Sequence, residues 1–103
     1  MTSARTLLVA PHQFPDLGRE EALAAEFGLT LVAAPDKAAF REGMADAAIV
    51  MVTPYGRVEA EDFARMNGCA AVVRYGMGYD NIDVQAGVVA GVPVSAMGGP
   101  RSG

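Results

Sequence analysis

Apolar residues along this chain fall into short runs separated by polar, turn-forming stretches. "RTLLVA" (5–10) is closed by Pro11, and "LTLVAA" (29–34), "AAIVMVT" (47–53), "CAAVVRY" (69–75) and "VPVSA" (92–96) repeat the pattern. Runs of this length between turn signals read as buried strands. The third is apolar at both alternating sets of positions, which predicts a strand covered on both faces. Pro93 has no N–H for a ladder, so the fifth run suits a sheet edge.

Helical spacing fills the gaps. Asp16 is placed to cap a helix running to about Phe27, with Leu23 and Phe27 one turn apart and Ala24 beside them as a core-facing stripe. Gly28 can take the left-handed conformation that stops it. Glu20 and Glu21 are expected on its solvated face. Asp36 caps a second helix to about Ala45, with Phe40 and Met44 on one side. A third, from about Glu59 to Met66, carries Glu59, Glu61 and Asp62 at its start, where the helix dipole favours acids. Asp83 caps a fourth to about Ala90, and Gly91 stops it.

Strict alternation of strand and helix predicts an α/β fold, a parallel sheet with helices on both faces. Right-handed crossovers leave few topologies. The expected one is the flavodoxin-like three-layer fold, a five-stranded parallel sheet in the order 2-1-3-4-5. Residues 1–97 make this domain, and "GGPRSG" (98–103) reads as a Gly-rich tail.

Composition narrows the function. The 103 residues suffice for one domain with a core of its own. The net charge is −4 with no cluster of Lys or Arg, which argues against a nucleic-acid partner. Cys69 stands alone in an apolar run, so no intrachain disulfide can form, and a small buried hydrophobe is its simplest role. No run approaches the roughly 18 apolar residues of a membrane span, and "MTSARTLLVA" is too short for a signal peptide; no membrane partner and a cytoplasmic location are expected. H-E-x-x-H, C-x-x-C and G-x-S-x-G are all absent, so neither a metal site nor a nucleophile elbow is expected.

In such sheets ligands sit beyond the carboxyl ends of the strands, near the point where strand order reverses. Three loops converge there: 11–15, 53–58 and 75–81. The last, "YGMGYDN", opens like a dinucleotide-binding loop. Its third glycine position is Asn81, it follows the fourth strand rather than the first, and no acid comes after Asp83. A cofactor loop is therefore not expected. Gly76 and Gly78 do permit close approach of backbone, and successive N–H groups in such a turn form a concavity suited to a carboxylate. The plainer alternative is a tight loop with Asp80 and Asn81 as turn formers. Arg57 is the best side-chain partner for an anion, or else a solvated surface arginine. His12 could exchange protons near neutral pH, or be incidental. Tyr55 and Tyr75 could close the site, or simply pack.

The stretch "VVRYGMGYDNIDVQAGVVAGVPVS" (72–95) resembles the N-terminal, substrate-binding part of the D-isomer-specific 2-hydroxyacid dehydrogenases, in the flavour of the branch that includes the C-terminal-binding-protein corepressors. Gly76, Gly78, Asp80, Asn81, Ile82, Asp83, Gly91, Pro93 and Val94 match that family's G-x-G-x-D-N-[IV]-D loop and following G-[IV]-P-V. The resemblance implies the same fold, a substrate carboxylate held by backbone around Gly76, Met77 and Gly78, and a cleft also lined by Tyr55, Gly56 and Arg57. The family uses NAD or NADP through a further domain that also carries its redox residues. This chain reaches Gly103 without it, so neither cofactor-binding nor catalytic residues are carried over.

Three readings follow. The chain is a truncated or stand-alone substrate domain that holds a small carboxylate; or it supplies a half-site or non-redox chemistry at His12, Tyr55 or Arg57; or it is a self-associating module. The third rests on Val84–Ala90, a helix without charge, where relatives place polar residues. A helix apolar all round usually finds cover. A homo-oligomer through helix 83–90, or through the face left by the missing domain, is one expectation; the plainer alternative is a thin face of Ala and Gly that tolerates exposure.

Overall fold

Strand β1 (Thr6–Val9) is buried on both faces, which explains why its sequence is apolar without alternation. The computed structural model describes residues 5–12, 16–53, 56–75 and 81–97. The elements after β1 are α1 (Gly18–Glu26), β2 (Thr30–Ala33), α2 (Lys37–Gly43), a 3₁₀ turn (Met44–Asp46), β3 (Ala47–Val52), α3 (Ala60–Arg65), β4 (Ala71–Tyr75), α4 (Val84–Ala90) and β5 (Val94–Met97). The sheet order is β2-β1-β3-β4-β5, and every pairing is parallel. The topology matches the sequence expectation, with β5 at an edge and Pro93 just before its first residue.

Two apolar clusters sandwich the sheet. On one face Leu8, Ala10, Val50, Val52 and Val72 meet Phe40 of α2, Phe63 of α3 and the partly buried Ala86 of α4. On the other, Leu7, Val9 and Met51 meet Ala24 of α1, with Leu23 packed alongside. Phe40 and Met44 are buried together, as their spacing requires. Asp36 caps α2 by accepting the Ala39 N–H at 2.8 Å, and Asp83 caps α4 by accepting the Ala86 N–H at 3.0 Å.

Three local expectations fail around the helices. Asp16 does not cap α1; the N-cap is Leu17, and Asp16 accepts the N–H of Gly18 at 2.9 Å instead. Phe27 does not join the core stripe and is 59% exposed. The helix ends at Glu26, so Phe27 has left the register that carries Ala24 inward. Glu20 is buried, at 6% exposure, rather than solvated.

Helix α4 is held close by a missing side chain. A Cβ on Gly87 would lie 3.0 Å from Val94 Cγ2 and 3.1 Å from Phe63 Cζ. Gly87 is the buried residue of α4, while Val88 and Val89 are 74% and 87% exposed. The apolar sequence of this helix therefore leaves its outer side open to water. Cys69 is half-buried, and burial pushes its thiol pKa up.

Candidate functional site

The described parts of the three converging loops lie at the carboxyl ends of β1, β3 and β4. The hydroxyl of Thr53, just past β3, donates to the Pro11 carbonyl and so ties the loop after β1 to the loop after β3. His12 follows Pro11 and is half-buried. Gly56 is buried against Ala10 and Phe40 at this end of the sheet: an added Cβ would lie 2.8 Å from Ala10 Cβ and 2.9 Å from Phe40 Cε2. Only glycine lets the loop after β3 lie this close to the core.

The loops after β3 and β4 are fastened to each other chiefly by Asn81. Its Nδ2 donates to the carbonyls of Thr53 at 2.9 Å and Gly56 at 2.7 Å. Its Oδ1 accepts from Arg74 Nε at 2.8 Å, and another Arg74 nitrogen donates to the Tyr75 carbonyl. Backbone completes the seam in a short parallel bridge between Val58 and Ile82, with Val58 N–H to Asn81 O at 2.9 Å and Asp83 N–H to Val58 O at 2.8 Å. The plainer of the two sequence readings makes Asn81 an ordinary turn former. The two carbonyls it serves are 25 and 28 residues away, so no local pattern could identify them.

Arg57 is 61% exposed, and its Nε donates to Glu59 Oε2 at 3.1 Å. Glu59 also accepts from Arg41 Nη2 at 3.3 Å. Arg41 in turn grips the buried carboxylate of Asp62, with Nε to Oδ1 at 2.9 Å. That carboxylate also takes the Glu59 N–H at 2.8 Å. The hydrogen bond and charge of Asp62 raise the Arg41 pKa further. Glu59, Glu61 and Asp62 thus do more than face a helix dipole: two of them hold α2 to α3.

Arg57 stands between two cavities. One of about 400 Å³ is lined by Arg57, Glu59, Glu61 and Asp83 among others. With three acids to one cation, its side chains do not favour an anion. The other, about 390 Å³, is lined by Lys37, Arg41 and Arg57 with Glu59 and Phe40. A carboxylate near the first cavity must therefore rely on backbone N–H groups rather than on these side chains.

Tyr75 lies elsewhere. Its side chain packs on the α1 face, and its hydroxyl donates to the buried Glu20. Burial, then the hydrogen bond and charge of Glu20, raise its pKa well above the usual tyrosine range. Arg57 and Gly56 are brought together with Asn81, whereas the Tyr75 hydroxyl is on the opposite side of the sheet from Phe40 and Gly56. The candidate residues Tyr55, Gly76, Met77 and Gly78, with Asp80 and the tail 98–103, lie outside the described residues.

A parallel sheet of this order, with the loops after β3 and β4 laced together, defines an open α/β domain of the doubly wound class. The family model for the D-isomer specific 2-hydroxyacid dehydrogenase catalytic domain matches residues 13–100. The chain belongs to that family. A search of curated proteins by sequence finds no match. Among solved structures, it is similar to NAD⁺-bound 3-phosphoglycerate dehydrogenase from Entamoeba histolytica, with a TM-score of 0.72 and 23% identity over 90% of this chain and 33% of that one. Formate dehydrogenase from Granulicella M. gives 0.73 and 18% over 88% and 37%. D-lactate dehydrogenase from Escherichia coli gives 0.70 and 14% over 89% and 30%. These likenesses establish the fold, and the chain spans about a third of the length of each structure.

The family implies a nicotinamide dinucleotide. A dinucleotide loop needs its third glycine for close helix–strand packing. Here that position is Asn81, whose side chain is committed to three bonds across the loops. That position does not fit the group.

Proposed function

We propose that this chain is the substrate-holding part of a D-2-hydroxyacid dehydrogenase, and that it binds a small 2-oxo or 2-hydroxy carboxylate. Backbone N–H groups of Gly76, Met77 and Gly78 receive the carboxylate, with Tyr55, Gly56 and Arg57 on the rim and His12 at the margin, while the side chain of Tyr75 turns away to Glu20. The finer likeness to the corepressor-containing branch belongs to this proposal and rests on "RYGMGYDNID" (74–83). The observation that carries the reading is Asn81, which fastens the loop bearing Gly56 and Arg57 to the end of the glycine loop. A cleft prepared this way orders its walls before a ligand arrives, which lowers the entropy lost on binding. Redox turnover requires a nicotinamide domain, in the same polypeptide or in a partner. Titration with pyruvate, glyoxylate or oxalate, read by amide NMR, tests the proposal. Shifts concentrated at 75–82 are expected, and a flat response there sinks it.

A second reading has its own observation. Val84, Val88 and Val89 give α4 an exposed apolar side. Self-association through that side covers it. Light scattering at high concentration should give a mass above that of the monomer. The double variant Val88→Lys/Val89→Lys should return the monomer with stability within about 0.5 kcal/mol. A wild-type monomer at every concentration refutes it.

A further inference from the structure

We infer that Asn81, seated by Arg74, is a positioning residue that sets the gap between the two loops of the cleft; this rests on the carboxylate reading above. A turn-forming asparagine bonds its own backbone about two residues on. Asn81 instead spends its amide on three groups that turn formation does not require: two carbonyls of the loop after β3 and the guanidinium of β4. The chemistry allows one orientation. With Oδ1 toward Arg74 Nε and Nδ2 toward the carbonyls of Thr53 and Gly56, every contact pairs a donor with an acceptor. Flipped, the amide would set N–H against N–H and oxygen against two oxygens. Arg74 therefore selects the rotamer in which Asn81 pulls the two loops together.

The backbone seam holds the same register. Val58 N–H to Asn81 O and Asp83 N–H to Val58 O make 56–58 and 81–83 move as one piece. At the other end of the glycine loop, Tyr75 is pinned twice: its carbonyl accepts from Arg74 and its hydroxyl bonds Glu20. Tyr75 and Asn81 are thus two fixed points that share one arginine. A misplacement of about 1 Å in such walls is enough to cost binding or rate by large factors, so the positions of Tyr75 and Asn81 set what the loop can hold.

The test uses the full chain, with oxalate as probe. Asn81→Asp keeps the shape and the acceptor for Arg74 but loses both donations. Arg74→Ala removes the orienting group. Both variants should bind oxalate about tenfold or more weakly, and the double variant should be no worse than the weaker single one, because both break one device. Hydrogen exchange is read in parallel without ligand. The Val58 and Asp83 amides should lose protection in Asn81→Asp, while Leu8 and Val50 in the sheet keep theirs, a pattern that general destabilisation does not produce. Wild-type affinity in Asn81→Asp overturns the proposal, as does additivity of the two single losses. If wild type binds no carboxylate, the proposed function fails on its own. The gap-setting role is then judged by exchange, and unchanged protection at Val58 and Asp83 in Asn81→Asp overturns it.

Discussion

Replacing Gly56 by alanine adds one methyl group where the structure has no room. The new Cβ would lie 2.8 Å from Ala10 Cβ and 2.9 Å from Phe40 Cε2. Carbon atoms pack at about 3.5–4.0 Å, so a displacement of about 0.6–1.2 Å is needed. Neither neighbour yields readily. Ala10 Cβ is fixed to the backbone directly after β1, and Phe40 is buried between α2 and the sheet. The loop itself must retreat, which stretches the 2.7 Å bond from Asn81 Nδ2 to the Gly56 carbonyl. Overpacking of this kind costs about 1–3 kcal/mol. For a domain of this size, 2 kcal/mol lowers Tm by about 8–16 °C. Thermal unfolding followed by circular dichroism reads the shift. A second variant separates crowding from loop conformation: Ala10→Gly removes one of the two opposing atoms. In the Ala10→Gly/Gly56→Ala double variant, part of the loss should return, giving a coupling of about 0.5 kcal/mol or more. A Gly56→Ala protein that melts with wild type, or strict additivity in the cycle, refutes the reasoning.

Other consequences can be measured directly. Tyr75 has a pKa raised above its unfolded value of about 10, so its contribution to stability is present below about pH 10 and is lost as pH rises beyond that. Urea unfolding between pH 9 and 12 should show the decline, and Tyr75→Phe should flatten it while costing about 1–3 kcal/mol by leaving the buried Glu20 without its donor. Asp36→Ala removes the bond to the Ala39 N–H and should cost about 0.5–2 kcal/mol in the same assay, with little effect on carboxylate binding. Because burial raises the Cys69 thiol, alkylation by iodoacetamide near neutral pH should be slower than for a free cysteine and should accelerate as pH rises; reaction at the free-thiol rate contradicts the burial.

The fold was legible because its signals are local and repeated. Five apolar runs set between turn-forming stretches, and helices with Asp36 or Asp83 at their starts, leave little choice once crossovers must be right-handed. What was hidden depends on where distant residues meet. Phe27 has the spacing of a core residue, but α1 ends one residue earlier and turns it out. Glu20 looks solvated in sequence because its partner, Tyr75, is 55 residues away. The nearness of the loops after β3 and β4 followed from strand order, and the bonds that pair them did not. Val58 meets Ile82 only because β3 and β4 are neighbours, and nothing near Asn81 in sequence announces that its amide will reach Thr53 and Gly56.

The order β2-β1-β3-β4-β5 also bears on how the sheet is assembled. With every pair parallel, no two strands can join through a tight hairpin, and each must wait for a crossover helix. After β3 has joined β1, each later strand adds to the flank of its immediate predecessor, so this half of the sheet can grow in the order of translation. Each arrival covers an unpaired edge that would otherwise invite aggregation. The loop seam closes within that sequence: the Val58–Ile82 bridge must wait until β4 has docked on β3. The seam between the two loops is then among the last features of the nascent domain to form, so it registers whether the preceding strands were placed correctly.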